Sequence, residues 1–202
     1  PIRTFSIGMK GSPDLYYAKK VADYIGSDHF ELEVSSEKML SYIDKVIYQI
    51  ETYDITTVRA SIPMYILSEY IRENTDIKVI FSGEGSDEVG GGYLYFHRYP
   101  SDEEFHTECC RLLKDLSYFD CLRSDKTTSG NGLEVRCPFL DKEFVEYYLS
   151  IPIEYRVPKN RIEKWFLREV FDGKDILPKD ILWRVKEAFS DGVSKKTESW
   201  FE

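Results

Sequence analysis

Residues 4–34 contain the pattern that most constrains the fold, because they predict a strand, a helix and a second strand in succession. TFSIGM predicts a short buried strand, and HFELEV alternates apolar and polar residues as a strand with one buried face does. Between them, Ser12 and Pro13 are typical of a helix start, and Gly26 is typical of a helix stop. This order is that of a βαβ unit, which predicts a parallel sheet.

The rest of the chain predicts one further strand and several helices. Two helical patterns, 36–50 and 60–73, are separated by the polar stretch ETYDITTVRAS. The apolar run IKVIF, residues 77–81, is typical of a strand buried in a parallel sheet. Beyond these, helices are predicted at residues 101–118, 123–132, 141–150 and 161–171.

We therefore predict an α/β fold in which at least three strands form a parallel sheet with flanking helices. Residues 1–202 are expected to belong to one domain. Its α/β, ligand-binding part is expected at residues 1–100, and a mainly helical part at residues 101–202.

Composition and charge exclude two classes of function. The net charge is −9 and no run of Lys or Arg supplies a basic face, so we expect no nucleic-acid binding. No window approaches ~18 consecutive apolar residues and nothing resembles a signal peptide, so we expect no membrane span and a cytoplasmic location. Four cysteines lack the spacing of zinc ligands, which predicts free thiols: Cys109, Cys110, Cys121 and Cys137.

The segment SGEGSDE, residues 82–88, directly follows IKVIF and is the most informative loop. Its glycines allow backbone N–H groups to approach a ligand closely, and ligands bind beyond the carboxyl ends of strands in open parallel sheets. Its three carboxylates indicate either a divalent cation between carboxylate and phosphate, or a base that accepts a proton from a nitrogen nucleophile. An ordinary acidic surface turn is the alternative, since neither a Walker A motif nor GxGxxG is present.

Longer strings carry a resemblance to a known family. SGEGSDE with the following GGYLYFHRYP resembles the synthetase domain of the glutamine-hydrolysing asparagine synthetases. TFSIGMKGSPDL, IETYDITTVRASIPMY, FDCLRSDKTTSGNGLEVRCPFLD and ILWRVKEAFSDGV are similar to stretches of the same family, in the same order. The resemblance covers nearly all of residues 1–193 and implies a fold of the adenine nucleotide alpha-hydrolase-like, ATP-pyrophosphatase type.

The resemblance implies a carbon–nitrogen ligase that works in two steps. ATP would activate the side chain of aspartate as β-aspartyl-AMP and release pyrophosphate, with Mg²⁺ and cationic side chains offsetting the repulsion between two anions. Ammonia, supplied from glutamine by an N-terminal glutaminase domain, would then attack to give asparagine and AMP. The resemblance leaves a homodimer open.

The family's functional positions transfer to this chain residue by residue. Glu84 matches the acid that takes a proton from the attacking ammonia, Arg59 matches the cation at the developing phosphorane, and Lys186 matches the lysine that meets pyrophosphate. The positions that match nucleotide contacts are Ile7, whose backbone would meet adenine, Ser82 and Gly83. The positions assigned to aspartate are Thr56, Thr57, Asp120 and Arg123. Asp87 is assigned to a metal ion or to the substrate amine.

Plainer explanations of these residues remain open. Thr56 and Thr57 would also serve as caps of the following helix, Lys186 as a solvated surface cation, and Asp120 as an acceptor at a helix end. Two other functions also stay open: a related synthetase that adenylates another carboxylate, such as a β-lactam synthetase, and a catalytically silent binding or assembly homologue.

The chain departs from the family in two respects. No SGGxDSS-like pyrophosphate loop precedes TFSIGM, and no glutaminase domain with its nucleophilic cysteine is present. Lack of the strand before that loop would leave an exposed sheet edge. We therefore expect this chain alone to bind ATP weakly and to make no asparagine.

Overall fold

The computed structural model describes residues 1–158, 162–195 and 199–201 and has an α/β fold. Its strands are β1 (Arg3–Gly8), β2 (Asp28–Glu33), β3 (Val79–Phe81) and β4 (Glu134–Arg136). Its helices are α1 (Pro13–Ile25), α2 (Ser36–Leu40), α3 (Ile43–Ile50), α4 (Ile55–Asn74), α5 (Ser86–Gly90), α6 (Asp102–Asp115), α7 (Asp120–Ser129), α8 (Lys142–Ser150), α9 (Ile153–Arg156), α10 (Trp165–Phe171), α11 (Lys179–Leu182) and α12 (Phe189–Gly192). Of the predicted helix at 161–171, residue 161 lies outside the described residues.

The chain forms two compact units, each built from several segments. The first unit comprises Pro1–Ile80, Leu122–Val135 and Glu187–Glu202, and the second comprises Phe81–Cys121 and Arg136–Lys186. The predicted division into residues 1–100 and 101–202 stays a prediction.

The first unit contains the predicted βαβ pattern. β1 and β2 pair in parallel, with Phe5 opposite Phe30, and α1 connects them. The Ser12 side chain accepts a hydrogen bond from the backbone N–H of Leu15 at the start of α1, and Gly26 ends the helix with a left-handed φ of 66°. The sequence therefore identified this unit together with its caps.

Two predictions about the helices of the first unit are wrong. The expected helix at 36–50 is interrupted after α2, where the Ser41 hydroxyl bonds to the carbonyl oxygen of Lys38 and competes with the helical ladder. The polar stretch expected before residue 60 is instead the first turn of α4. That helix starts at Ile55 because Asp54 caps it, a signal hidden among other polar residues.

The core of the first unit lies between β1 and its helices. Its buried members come from β1, the residue after it, α2, α3, α4 and the C-terminal segment: Ile7, Met9, Met39, Val46, Ile50, Val58, Ile62, Tyr65, Ile66, Val193 and Trp200. The Met9 N–H donates a 2.8 Å hydrogen bond to the carbonyl oxygen of Val193. This bond ties the exit of β1 to the C-terminal segment.

The prediction that IKVIF joins β1 and β2 in one sheet of at least three strands is wrong for the described residues. β3 pairs with β4, while β1 and β2 form a separate two-stranded sheet. The burial expected for IKVIF is also not found, because Val79 is 45% exposed and Phe81 77% exposed. β4 was missed because its sequence, EVR, is short and mostly charged.

The second unit is mainly helical, and its core is aromatic. Phe96, Phe105, Cys109 and Val157 are buried together, with the rings of Phe96 and Phe105 packed edge to face. All four cysteines of the chain are free thiols, as predicted. In the part of the chain that the structure describes, the helices are too short or too polar to cross a bilayer.

Candidate functional site

The acidic loop, residues 82–88, follows β3 and contacts neighbouring residues at Ser82 and Gly85. The Ser82 N–H donates a 2.9 Å hydrogen bond to the carbonyl oxygen of Arg136. Gly85 has a φ of +89°, and an ideal Cβ there would lie 2.2 Å from Cδ2 of Leu140. Another residue at this position would bring both backbone strain and a clash. The loop continues directly into α5, so a helix positions Asp87 and Glu88.

Asp87, in the first turn of α5, binds two lysines at once. Its Oδ1 lies 2.8 Å from Nζ of Lys164, and its Oδ2 lies 2.7 Å from Nζ of Lys186. Burial alone would raise the pKa of Asp87, but the two ammonium groups outweigh it and hold the pKa below its ordinary value. One carboxylate and two ammonium groups leave one net positive charge, so the group suits an anionic ligand.

Glu163 holds the main chain next to this group. Its side chain is 3% exposed, and its Oε1 accepts a 2.6 Å hydrogen bond from the backbone N–H of Lys186. The same oxygen lies 3.5 Å from Nη2 of Arg168, and Oε2 lies 3.5 Å from Nε2 of His97. A carboxylate buried this deeply requires such partners, and one of them is the backbone that carries Lys186.

A second acidic group surrounds the phenol of Tyr93. The Tyr93 hydroxyl donates to Glu88, and its oxygen lies 3.1 Å from Oδ2 of Asp120. Burial of Glu88, together with the charge of Asp120, raises the pKa of Glu88 to about 7. One phenol proton cannot serve two carboxylates, so the arrangement favours a further proton on Glu88. The Tyr93 ring also lies 5.8 Å from Nζ of Lys186.

Glu84 is half-buried, and its charge acts on two thiols. Burial raises the pKa of Cys121 to about 11, and the charges of Cys137 and Glu84 add to that effect. Burial and then the charge of Glu84 likewise raise the pKa of Cys137. Both thiols therefore stay protonated and unreactive at neutral pH beside the acid that was assigned to proton transfer.

In the first unit, the TTVRAS segment forms the start of α4. Asp54 accepts 2.8 Å hydrogen bonds from both the backbone N–H and the hydroxyl of Thr57. These two bonds hold the pKa of Asp54 below its ordinary value. The alternative that Thr56 or Thr57 caps the helix is therefore wrong, since Asp54 is the cap. Thr57 is buried, whereas Thr56 is exposed.

Arg59 lies one turn further along α4. Its guanidinium carbon lies 4.3 Å from the centre of the Phe201 ring, within the range of a cation–π contact. Its Nε is buried and has no hydrogen-bond partner among the described residues. A buried donor without an acceptor is destabilising, and an anionic ligand would satisfy it.

The predicted site residues are divided between the two units. The second unit contains Ser82, Gly83, Glu84, Asp87, Asp120 and Lys186, and the first contains Ile7, Thr56, Thr57, Arg59 and Arg123. The structure brings Asp87 and Lys186 into direct contact and buries Ile7 in the core of the first unit. That the two sets share one cavity stays a prediction.

Asp87 does not fit the metal site expected for it. Both of its oxygens already bind ammonium groups. Among residues 1–158, 162–195 and 199–201, no group of three His, Cys, Asp or Glu side chains is arranged to hold a metal ion. Asp87 as a ligand of Mg²⁺ is therefore not supported, and Mg²⁺ carried by a nucleotide stays a prediction.

A surface cleft of about 560 Å³ lies in the first unit, away from the predicted residues. Its lining comes from the end of α3, the turn after it and α7: Ile47, Tyr48, Gln49, Glu51, Thr52, Tyr53 and Lys126. Lys126 pairs with Glu51, so its charge is compensated. None of the predicted site residues lines this cleft, and its chemistry does not suit a triphosphate.

Sequence reasoning missed Lys164 and Glu163. They lie 77 and 23 positions along the chain from their partners Asp87 and Lys186, and no local periodicity connects such distant residues. The only signal in the sequence is that Glu163 and Lys164, two adjacent residues of opposite charge, directly precede the apolar residues at the start of α10.

Comparison with known proteins decides the family. The family model described as "Asparagine synthase" matches residues 1–104 and again residues 98–202. The chain belongs to the asparagine synthase family. The two matches together cover the whole chain, including the acidic loop and the segment around Lys186.

Curated relatives of this family are similar over the whole chain. An asparagine synthetase [glutamine-hydrolyzing] of Mesocricetus auratus is 59% identical over 202 residues, and that of Homo sapiens is 58% identical over 202 residues. The corresponding protein of Gallus gallus is 58% identical over 201 residues. In each case all of this chain is covered, but only 36% of the relative, so the chain spans about a third of the length of these proteins.

Proposed function

We propose that the protein containing this chain is an ATP-dependent, glutamine-hydrolysing asparagine synthetase. The observation that carries the proposal is the identity of 58–59% over the whole chain to proteins of that name. The proposed reaction converts aspartate, ATP and ammonia derived from glutamine into asparagine, AMP and pyrophosphate. The proposed fold type is that of the ATP-pyrophosphatases, and the proposed location is the cytoplasm.

The net positive charge around Asp87 supports a role in binding phosphates. Attack of an aspartate carboxylate on the α-phosphate of ATP brings two anions together and releases a third, pyrophosphate. Lys186, one of two ammonium groups on a single carboxylate, retains charge to stabilise the leaving pyrophosphate. Arg59, whose buried Nε has no hydrogen-bond partner in the part of the chain that the structure describes, is proposed to stabilise the developing phosphorane.

Glu84 is proposed as the base of the second step. The attacking ammonia must lose a proton as its nitrogen bonds to the acyl carbon, and an ionised carboxylate within reach would accept it. Glu88 is less suited to accept this proton, because burial favours the protonated form of its carboxyl group. Thr56, Thr57, Asp120 and Arg123 are proposed to bind aspartate, and Ile7, Ser82 and Gly83 to bind the nucleotide.

The test is a product balance measured with the full-length protein. It is incubated with aspartate, ATP, Mg²⁺ and glutamine or ammonium, and asparagine, AMP and pyrophosphate are quantified. We expect equimolar formation of the three, dependent on aspartate. Formation of AMP with another carboxylate but not with aspartate would instead indicate a relative that adenylates a different substrate.

A further inference from the structure

Lys186 is held at two points, although its segment has no regular structure. Residues 184–188, between α11 and α12, form neither helix nor strand. The ammonium group of Lys186 binds Asp87, and its backbone N–H donates to Glu163. An irregular segment positions a long side chain well only if other groups fix both its main chain and its charged end.

Both restraints lead to one pair of adjacent residues. Glu163 accepts the N–H of Lys186, and Lys164 binds the other oxygen of the carboxylate that Lys186 binds. Lys164 has a φ of 56°, in the left-handed region that residues with a Cβ rarely adopt. Such a conformation persists where the surroundings enforce it, which is typical of functional sites.

We propose that Glu163 and Lys164 are positioning residues for Lys186. Glu163 fixes the main chain of Lys186, and Lys164 neutralises Asp87 so that the charge of Lys186 remains available to a phosphate anion. The proposal rests on the proposed function, in which Lys186 meets pyrophosphate, and extends it to two residues that have no part in the predicted site.

The charges around Asp87 explain why a second lysine is useful. With Lys186 as its only partner, Asp87 would form a neutral pair, and an approaching anion would have to compete with a carboxylate that is 20% exposed. Lys164 binds the other oxygen of Asp87. When Lys186 moves from Asp87 to a phosphate, Asp87 therefore still has one cation, and the free-energy cost of breaking the Lys186–Asp87 pair is lower. Lys164 should therefore affect the binding of ATP more than its turnover.

Glu163 also has structural contacts, which the test must separate. Arg168 donates from Nε to the backbone oxygen of Glu163 and from Nη1 to the backbone oxygen of Leu182. A role in folding alone would lower stability and activity whether or not Lys186 is present. A positioning role requires the effect on activity to depend on Lys186.

The first experiment is a double-mutant cycle in the full-length protein. Glu163→Gln, which is close in shape and keeps an acceptor oxygen, is combined with Lys186→Ala, and pyrophosphate release is measured. Glu169→Gln, at an exposed position in the neighbouring helix α10, is the matched control. We expect Glu163→Gln to lower kcat about 10-fold in the parent background and less than about 2-fold beside Lys186→Ala. Equal losses in both backgrounds, or no loss in the first, would overturn the proposal for Glu163.

The second experiment concerns Lys164. We expect Lys164→Met to raise KM for ATP about 5-fold with little change in kcat, and the additional change Asp87→Asn to reverse part of that rise. An unchanged KM for ATP would overturn the proposal for Lys164.

A third measurement needs no turnover and so separates this inference from the proposed function. Hydrogen exchange of residues 184–188 should become faster in Glu163→Gln than in Glu169→Gln, since the N–H of Lys186 loses a charged acceptor. If the protein releases no pyrophosphate but shows this difference in exchange, the proposed function is wrong, while the restraint of Lys186 by Glu163 is confirmed. Unchanged exchange would contradict the restraint itself.

Discussion

At the scale of single residues, the acidic side chains around α5 differ sharply in their environments. Asp87 is ionised between two lysines, whereas Glu88, the next residue, is buried against Tyr93 and Asp120. Neighbouring carboxylates with opposite pKa shifts can take different parts in one reaction. Here the shifts favour an ionised Asp87 between its two lysines and a larger protonated fraction of Glu88 at neutral pH.

The raised pKa of Glu88 predicts a pH dependence of stability. A carboxyl group whose pKa rises from 4.5 to about 7 on folding stabilises the fold fully below pH 4.5 and loses that contribution as the pH rises through 7. Relative to Glu88→Gln, the unmodified protein should therefore lose on the order of 3 kcal/mol between pH 4.5 and pH 8. Urea unfolding at several pH values measures this difference.

The control is Glu73→Gln, at an exposed position in α4. It should leave the pH dependence unchanged. A difference between the unmodified protein and Glu88→Gln that stays constant with pH would show that folding does not shift the pKa of Glu88.

The resemblance assigned functional positions to Asp87 and Lys186, and the structure shows that their side chains form an ion pair. The roles of both residues stay predictions. Glu163 and Lys164 could not be found in this way, because their roles depend on contacts between distant parts of the chain. The contacts of Tyr93 with Glu88 and Asp120 likewise have no local signal in the sequence.

At the scale of elements, the acidic loop contains two glycines with different requirements. Gly85 has a left-handed backbone and no room for a Cβ, whereas an ideal Cβ at Gly83 would meet no atom within 4 Å. Gly85→Ala should therefore destabilise the protein by about 1–3 kcal/mol. Gly83→Ala should leave stability nearly unchanged, so any loss of ATP binding in that variant would come from the approach of the nucleotide.

Thermal unfolding of both variants, followed by circular dichroism, checks this pair. Equal stability of Gly85→Ala and the unmodified protein would show that Leu140 and the loop adjust without cost. A strongly destabilised Gly83→Ala would contradict the open surroundings of Gly83.

Elements with a clear start and stop were predicted well, and those defined by distant pairing were not. α1 has its cap, its proline and its glycine stop within the printed sequence, and it was predicted correctly. At the break between α2 and α3, the Ser41 side chain donates one hydrogen bond to the backbone, and at the early start of α4, Asp54 accepts two from Thr57. β4 exists only because it pairs with β3, which no local pattern of three residues can reveal.

At the scale of the whole molecule, the chain spans about a third of the length of its relatives, and the described residues form two sheets of two strands each. Among the described residues β1 pairs only with β2, and the apolar strand β3 leaves Phe81 77% exposed. Unpaired strand edges and exposed apolar strands are sites of association with other chains. That the chain alone binds ATP weakly stays a prediction.

Isothermal titration with MgATP tests that expectation. We expect the 202-residue chain to bind MgATP much more weakly than the full-length protein. In a separate assay with aspartate and ammonium, we expect the chain to form no asparagine. Tight binding by the chain alone would show that a pyrophosphate loop outside it is dispensable.

Glu84 is proposed to face the amine that attacks an acyl-adenylate, and one substitution tests this role. In the full-length protein, Glu84→Gln keeps the shape of the side chain and removes its basicity. We predict that asparagine formation falls at least ~100-fold while aspartate-dependent exchange of pyrophosphate into ATP persists. Asparagine formation at the unmodified rate would contradict the claim, and so would loss of the exchange reaction together with asparagine formation.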